Sequence, residues 1–330
     1  MRRSLLLVTL LVACSSSAGS GAPSKQDSGI DAIEEDATPK PVLDPALFDC
    51  RSRASGLPAR KAASTPECLR DPKCTTRLVS GHRGAGGDLG RIAPEDTLAA
   101  YRAAIVLGVD LVETDPRPTK DGILVNLHDP DLGRTTNGGV GPVDQHTFDE
   151  IRALTIKTDL PGDYSCEKVP TLKELLETCR GRALVLVDGN KTDRVDLLVA
   201  AIQEADALEW AVFDTSSIAK IDRALAIEPR LMIQPRVEAE ADAAGILAHF
   251  ASHLPVFVEI SSKIFPKTAD LVHAAGSRVL TDVFTTDIPV KLGTAPASQY
   301  STLFAQGADV LQSDLPDLVL GAIGRPAPPP

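Results

Sequence analysis

The sequence is short of positive charge. Its 330 residues include 34 lysines and arginines against 45 aspartates and glutamates, which gives a formal net charge of −11 at pH 7. This imbalance argues against a nucleic acid, or an anionic membrane surface, as a partner held by general electrostatic attraction. An anionic small molecule would need a bound cation or nearby arginines in order to dock.

Several familiar site motifs are also missing. The glycine-rich stretch 84–90 does not end in the G-K-[ST] of a P-loop, so it does not predict a triphosphate site. The cysteines lack the paired C-x-x-C spacing of a zinc site, and no repeat of fixed period is present. The 43% hydrophobic content is typical of a soluble globular protein, and the length suits one α/β domain of about 250 residues with extensions.

The N-terminal apolar stretch is too short to span a bilayer. Residues 1–3 are positive and residues 4–13 are apolar, which is the pattern of a signal peptide. Leu11 to Cys14 resembles a bacterial lipobox, so we expect an exported protein, lipid-anchored to the bacterial cell envelope through Cys14 on the periplasmic or cell-surface side. The alternative is a general signal peptide with an incidental cysteine. Residues 15–43, rich in Ser, Gly, Ala, Pro and acidic residues, predict a flexible tether.

The cysteines agree with export. Without Cys14 an odd number remains, and disulfides are expected in an oxidising compartment. The spacing does not decide the pairing: Cys166 with Cys179 is one candidate bridge, and one pair among Cys50, Cys68 and Cys74 is another. Such a bridge would pin an N-terminal extension, residues 44–76, against the main domain.

Apolar runs alternate with helical patterns along the rest of the chain. Eight such alternations predict a parallel (β/α)8 barrel over residues 77–320, with its chemistry at the carboxyl ends of the strands. A proline-rich tail, residues 321–330, is expected to be disordered. The predicted strands are 78–79, 109–112, 183–187, 210–213, 230–234, 256–260, 278–280 and 309–312.

Polar residues collect at the first two of these strands. The first run ends at Gly81 in a glycine-rich loop with His82 at its start. A helix is expected between Thr97 as its N-cap and Gly108 as its stop. The second run ends in Glu113 and Asp115, which point to one side because strand side chains alternate. Two carboxylates on one face predict a site for a hard cation.

A hairpin is expected to complete this group. The T-K-D-G turn at 119–122 precedes a third apolar run, 123–127, which would fold His128 back toward Glu113 and Asp115. A glycine-rich loop and a short helix at 147–154 then predict a small insertion after the hairpin. Thr171 and Glu174 have the spacing of a capping box at the start of the next helix.

These motifs occur together in one order. They are His82-Arg83-Gly84, Pro94-Glu95-Asp96-Thr97, Glu113-x-Asp115, T-K-D-G and His128-Asp129. The stretch resembles the glycerophosphodiester phosphodiesterase family, of the phosphatidylinositol phospholipase C-like TIM barrel superfamily, over roughly residues 77–317. Asp96 stands where the family usually has asparagine.

The resemblance also implies a third metal ligand. The family has a metal-binding glutamate at the end of the next barrel strand and a lysine two residues later. Asp188 takes the glutamate position here and Asn190 takes the lysine position, as a substrate-binding residue. Lys191 is expected to point the other way, which leaves Lys263 as a substitute cation by position only.

From charge and this resemblance we expect one divalent cation, Ca²⁺ or Mg²⁺, held by Glu113, Asp115 and Asp188. Arg83 would bind the phosphate. Glu95, also counted among the substrate-binding residues, would orient Arg83 or the loop that carries it. One of His82 and His128 would act as general base and the other as general acid, with His82 preferred as the base.

The expected activity is metal-dependent hydrolysis of a small-molecule glycerophosphodiester to glycerol 3-phosphate and an alcohol, by a monomer. Two alternatives stay open. One is phospholipase D-like cleavage of a lipid or lysolipid head group on the same barrel. The other is a ligand-binding lipoprotein whose catalysis is impaired by Asp188 and Asn190. Product identification and a turnover assay separate the three readings.

Overall fold

Parallel strands close into a barrel, as the sequence predicts. The computed structural model describes residues 42–59, 68–69, 71 and 74–326. The expected signal peptide, the lipobox Cys14, nearly all of the tether and the last four residues of the tail lie outside the described residues. Around the barrel the strand order is β1-β12-β11-β10-β9-β8-β7-β2, and every neighbouring pair is parallel. The barrel strands are β1 (Leu78–Gly81), β2 (Leu111–Thr114), β7 (Leu184–Asp188), β8 (Ala211–Thr215), β9 (Met232–Val237), β10 (Phe257–Ile260), β11 (Arg278–Asp282) and β12 (Val310–Ser313).

All eight predicted strands are confirmed. Their aliphatic residues are buried on both faces, as expected when a strand lies between the barrel interior and the surrounding helices. Most of the strands continue past their predicted apolar runs, and among them β8 goes on to Thr215 and β9 to Val237. These extensions place Asp214 and Arg236 inside strands, where an apolar-run criterion does not look.

Helices alternate with the strands, and their caps follow from the sequence. Thr97 accepts a hydrogen bond from the Ala100 amide, and Gly108 ends the first helix at φ 84°, a left-handed conformation that glycine adopts without a steric cost. Thr171 and Glu174 form the predicted capping box. The helices are α1 (Leu98–Leu107), α2 (Phe148–Ala153), α3 (Leu172–Cys179), α4 (Val195–Glu204), α5 (Ile218–Ile227), α6 (Glu240–His249), α7 (Ala269–Ala274), α8 (Phe284–Lys291), α9 (Ser298–Ala305) and α10 (Pro316–Ala322).

The hairpin and the small insertion are also confirmed. Strands β3 (Pro116–Pro118) and β4 (Leu124–Asn126) pair antiparallel directly after β2. A second two-stranded sheet, β5 (Thr136–Asn137) with β6 (Thr155–Ile156), flanks α2. Ile151 of α2 is buried in a separate small core with residues of the hairpin arm, so the insertion packs on the hairpin.

The N-terminal extension is held to the barrel by a disulfide different from the candidate that involved Cys179. Cys50 is bonded to Cys166 and Cys68 to Cys74, so the Cys166–Cys179 pairing is wrong and a pair among the three N-terminal cysteines is confirmed. Cys179 lies at the end of α3 with its side chain in the hydrophobic core. Sequence spacing does not reveal that Cys166 faces outward, toward the extension.

The C-terminal segment is more ordered than predicted. Helix α10 runs to Ala322, and the Arg325 guanidinium lies 2.7 Å from an Asp110 carboxylate oxygen at the start of β2. The expected disordered tail is therefore wrong for residues 321–325. Among the described residues, no helix has the length and apolar character needed to cross a bilayer.

The two disulfides should differ in their contribution to stability. Cys50–Cys166 closes a separation of 116 residues and Cys68–Cys74 one of only 6. If loop closure in the unfolded chain dominates, the Cys50→Ser/Cys166→Ser variant should lose about 2 kcal/mol more free energy of unfolding than the Cys68→Ser/Cys74→Ser control. Urea denaturation of both variants measures this difference, and equal losses would contradict it.

Candidate active site

His82 lies at the carboxyl end of β1, held by a carboxylate from across the barrel seam. Its Nδ1 is 2.6 Å from Asp314 Oδ1, and the same carboxylate accepts hydrogen bonds from the amides of Gly87 and Leu89. Its Nε2 faces Glu113 Oε2 at 3.8 Å. Burial opposes the charged ring, but the bond to Asp314 and the nearby Glu113 charge raise the pKa of His82 to about 10.

His128 is positioned by the hairpin. Arg117 on β3 donates hydrogen bonds to the backbone oxygens of Leu127 and His128, which fixes the end of β4. The His128 Nδ1 is 3.0 Å from Asp129 Oδ1. Burial lowers the pKa of His128, although Asp115 and Asp129 act in the opposite direction. The two imidazoles therefore have pKa values displaced in opposite directions.

Three carboxylates meet at the same end of the barrel. Glu113, Asp115 and Asp188 are all buried, and each offers an oxygen within 4.8 Å of the others. The charges of both His128 and His82 help to lower the pKa of Asp115 against the effect of burial, after the larger contribution of Lys191. All five side chains thus belong to one mouth of the barrel, as the sequence predicts.

The electrostatics of this cluster favour a cation. Burial, with Asp115 next, raises the pKa of Glu113 well above its usual range. Burial also raises the pKa of Asp188 to about 6. Asp115 Oδ2 is buried and has no hydrogen-bond partner among the residues that the structure describes. Three carboxylates at this separation repel one another, and a hard divalent ion is the ligand that such an oxygen set fits. The shorter Asp188 reaches the cluster in place of a glutamate.

Arg83, in the loop after β1, is buried at the same mouth of the barrel. Its Nη1 lies 3.0 Å from Asp88 Oδ1 and 3.1 Å from Glu95 Oε1, and its Nε lies 3.5 Å from Asp115 Oδ2. The expectation that Glu95 orients Arg83 matches this contact. The backbone of Arg83 has φ 49°, which costs a non-glycine residue on the order of 1 kcal/mol. In exchange, its amide donates to Glu113 Oε2.

The expectation for Lys191 is wrong. Its Nζ lies 3.1 Å from Asp115 Oδ1 and 3.8 Å from Asp188 Oδ2, so it points into the cluster. The expectation assumed strand alternation after Asp188, but Gly189–Lys191 form a turn of 3₁₀ helix. In that geometry side chains three residues apart lie on the same side.

Asn190 lies on the opposite side of that turn. Its Oδ1 accepts hydrogen bonds from the Thr215 hydroxyl and from the amide and hydroxyl of Ser216, at the end of β8. Its amide oxygen is thus engaged away from the carboxylate cluster. Lys263 is exposed in the turn after β10. The lysine that the resemblance led us to expect at position 190 is thus absent there, and the lysine next to the cluster is Lys191, one position later.

The surroundings of Asp96 favour its uncharged form. It is buried, and Tyr101 donates a hydrogen bond to its Oδ1 at 3.0 Å. Burial, then the charges of Asp115 and Glu95, raise the pKa of Asp96 well above its usual range. This favours the uncharged acid, which resembles the asparagine that is usual at this position.

Arg134 was not anticipated from the sequence. It bridges Glu95 and Asp129, with Nη1 2.8 Å from Glu95 Oε2 and Nε 2.6 Å from Asp129 Oδ2. It therefore ties the loop after β1 to the loop that carries His128. It follows the hairpin in the loop before the insertion, where the sequence gives no indication of these partners.

Arg236 was missed as well. It joins Asp214, Glu259 and Asp188, with Nε 2.9 Å from Asp214 Oδ1 and 3.1 Å from Glu259 Oε2, and Nη2 3.6 Å from Asp188 Oδ2. The sequence signal was the polar residues just past the apolar runs of β8 and β9.

Solved structures share this architecture. A glycerophosphoryl diester phosphodiesterase from Parabacteroides distasonis aligns with a TM-score of 0.66 at 24% identity, over 82% of this chain and 94% of its own. An Oleispira antarctica phosphodiesterase, solved in complex with the product sn-glycerol-3-phosphate, aligns with a TM-score of 0.63 at 26% identity over 77% of this chain and 99% of its own.

Curated relatives match over a shorter stretch. A glycerophosphodiester phosphodiesterase from Caldanaerobacter subterraneus subsp. tengcongensis is 41% identical over 100 residues, which are 30% of this chain and 39% of that protein. Human glycerophosphodiester phosphodiesterase 1 is 41% identical over 107 residues, 32% of this chain and 31% of its own length. The matched segments thus span less than half of these relatives.

The family profile covers far more of the molecule. The sequence profile of the Glycerophosphoryl diester phosphodiesterase family matches residues 82–318, from the first histidine of the site to the helix after β12. The match contains every side chain of the cluster described above. This chain belongs to the glycerophosphoryl diester phosphodiesterase family.

Proposed function

We propose that this protein hydrolyses glycerophosphodiesters to glycerol 3-phosphate and an alcohol, with the help of one divalent cation. The observation that carries the proposal is the cluster of Glu113, Asp115 and Asp188, whose oxygens lie within 4.8 Å of one another. His82 and His128 both act electrostatically on Asp115 at its centre. The product bound to the Oleispira antarctica neighbour supports glycerol 3-phosphate as the product here.

The three carboxylates would hold Ca²⁺ or Mg²⁺. Both ions prefer oxygen ligands, and carboxylates supply them. When bound, such an ion polarises phosphoryl oxygens and stabilises the charge that develops on them. The backbone amide of Arg83 and the side chain of Lys191 keep Glu113 and Asp115 in place for it.

Two positive side chains would bind the phosphate. Lys191 has its ammonium at the carboxylate cluster, and Arg83 offers a permanently charged guanidinium beneath it. Lys191 takes the role that the resemblance assigned to position 190. Asn190 instead anchors the turn to β8, which holds Lys191 in its orientation.

His82 and His128 would serve as acid and base. The raised pKa of His82 favours the imidazolium form, which donates a proton to the leaving alkoxide. The lowered pKa of His128 favours the neutral form, which accepts a proton from the attacking water. This assignment reverses the one preferred from the sequence. Asp314 accepts a hydrogen bond from His82 Nδ1, and Asp129 accepts one from His128 Nδ1. The Nε2 atom of each ring is therefore available for these transfers.

Catalysis is favoured over a purely ligand-binding role. The binding hypothesis rested on Asp188 being too short and on a missing lysine. Asp188 reaches the cluster, and Lys191 supplies the positive charge. We also propose that the protein is anchored outside the cell through Cys14, on the strength of the lipobox-like sequence alone. We propose in addition that it acts as a monomer.

Removal of divalent ions should abolish turnover. Glycerophosphocholine treated with the EDTA-stripped protein should remain intact, and added Ca²⁺ or Mg²⁺ should restore release of glycerol 3-phosphate, identified as the product by chromatography. Asp188→Asn should weaken activation by the ion at least about tenfold because a charged ligand is lost. Asp193→Asn is the matched control, since Asp193 is exposed nearby. Full activity in EDTA, or phosphocholine as product, would contradict the proposal.

A good leaving group should separate the two histidines. His82→Ala should lower kcat by about 10²–10⁴ on glycerophosphoethanolamine but far less on a p-nitrophenyl ester of glycerol phosphate, which needs no proton donor. His128→Ala should lower kcat on both esters. The reverse pattern would restore the acid and base roles preferred from the sequence.

Lys191 should matter more for activity than Lys263. Lys191→Met should lower kcat/KM by about 10²–10³, because one donor to a charged phosphate is lost. Lys263→Met, an exposed lysine beyond β10, is the control and should leave kcat/KM unchanged. If Lys191→Met retained activity, the phosphate contact would have to come from another side chain.

A further inference from the structure

A second polar group lines the barrel opposite the carboxylate cluster. Glu259 on β10 accepts a hydrogen bond from Gln234 Nε2 on β9 at 3.2 Å. Asp282 at the end of β11 accepts one from Gln312 Nε2 on β12 at 3.3 Å. In the strand order, β11 with Asp282 lies between β10, which carries Glu259, and β1, which His82 follows. The charge of Asp282 contributes to raising the pKa of both groups. These four residues are called the amine subsite below.

The amine subsite contains two acceptors that no donor satisfies within the described residues. The side-chain oxygens Gln234 Oε1 and Gln312 Oε1 are buried and have no hydrogen-bond partner in the described part of the chain. Gln234 is fully buried and Gln312 nearly so, and each glutamine is bonded to one of the two carboxylates. A buried amide oxygen without a donor costs on the order of 1–3 kcal/mol. A ligand with N–H donors would satisfy both oxygens.

Positive charge is scarce on this side of the barrel. One guanidinium, that of Arg236, is shared among Asp214, Glu259 and Asp188. Burial and the charges of Asp214 and Asp282 raise the pKa of Glu259 to about 8 in spite of Arg236. An added positive charge would therefore be stabilised here.

The amine subsite lies within reach of the reacting phosphate. The single Arg236 side chain contacts both Asp188, of the metal cluster, and Glu259. The distance between the two sites is the width of one guanidinium plus two contacts, which a short amino alcohol can span. The glycerol phosphate half of the substrate carries no positive charge, so a cation would have to be on the alcohol.

We propose that Glu259, Asp282, Gln234 and Gln312 bind the protonated primary amine of the leaving alcohol, which makes ethanolamine-type glycerophosphodiesters the preferred substrates. A primary ammonium has three N–H donors for these oxygens. A trimethylammonium has none, and it is recognised mainly by aromatic faces. None of the four side chains is aromatic, and β11 ends in Thr281-Asp282. This inference rests on the proposed hydrolysis.

The test compares three head groups on one enzyme. The wild-type kcat/KM for glycerophosphoethanolamine should exceed that for glycerophosphoglycerol at least about tenfold, because the neutral ester leaves the buried acceptors unpaired. Glycerophosphocholine should fall between the two. Comparable values for the ethanolamine and glycerol esters would overturn the amine subsite while leaving the proposed hydrolysis intact.

Isosteric variants locate the selectivity. Glu259→Gln and Asp282→Asn should each bring the ethanolamine-to-glycerol ratio of kcat/KM close to one, mainly through a higher KM for the ethanolamine ester. Glu240→Gln, an exposed carboxylate at the start of α6, is the matched control and should keep the wild-type ratio. Thermal unfolding of each variant verifies its fold, and the wild-type comparison stands without any variant. An unchanged ratio in Glu259→Gln and Asp282→Asn would refute the assignment.

Two further readouts remove the remaining alternatives. Titration with Mg²⁺ or Ca²⁺ should give one bound ion in the wild type and in Glu259→Gln. A second ion that binds to the wild type and is lost in the variant would make this a metal site and overturn the proposal.

If no ester is hydrolysed, the proposed function fails. Calorimetric titration then decides the subsite, since tighter binding of glycerophosphoethanolamine than of glycerophosphoglycerol upholds it and equal binding overturns it.

Discussion

Repulsion among buried carboxylates dominates the chemistry of this protein. Glu113, Asp115 and Asp188 come from neighbouring strands and lie too close together to stay ionised without compensating positive charge. The barrel imposes this crowding because parallel strands bring all their carboxyl ends to one rim. A divalent ion bound among the three carboxylates, as proposed, would relieve this repulsion.

The chain supplies its own partial compensation from three directions. Arg83 comes from the loop after β1, Lys191 from the turn after β7, and Arg236 from β9. Arg83 is buried and the other two are partly buried, and each contacts more than one carboxylate. The compensation is incomplete beyond Arg236, and the acidic side chains there extend the polar lining around the barrel to β11.

Rigid positioning extends to the histidines. Asp314 reaches His82 from the loop after β12, so the end of the last barrel strand positions the ring that follows the first. Arg117 and Arg134 secure the hairpin and the loop that carry His128. Imidazoles held in this way have fixed orientations, which the proposed acid–base roles would require.

The amino-acid sequence alone determined the barrel, the hairpin, the helix caps and the meeting of His82, His128, Glu113 and Asp115, because apolar periodicity, turn residues and strand alternation are local properties. Only the tertiary structure decided three other features: the Cys50–Cys166 bridge, the direction of Lys191 and the network around Arg236. Disulfide pairing depends on which surfaces face each other across more than a hundred residues. The direction of Lys191 depends on a strand giving way to a 3₁₀ turn. The network around Arg236 depends on β9 continuing beyond the apolar run from which it was predicted. Neither change is indicated by hydrophobic periodicity.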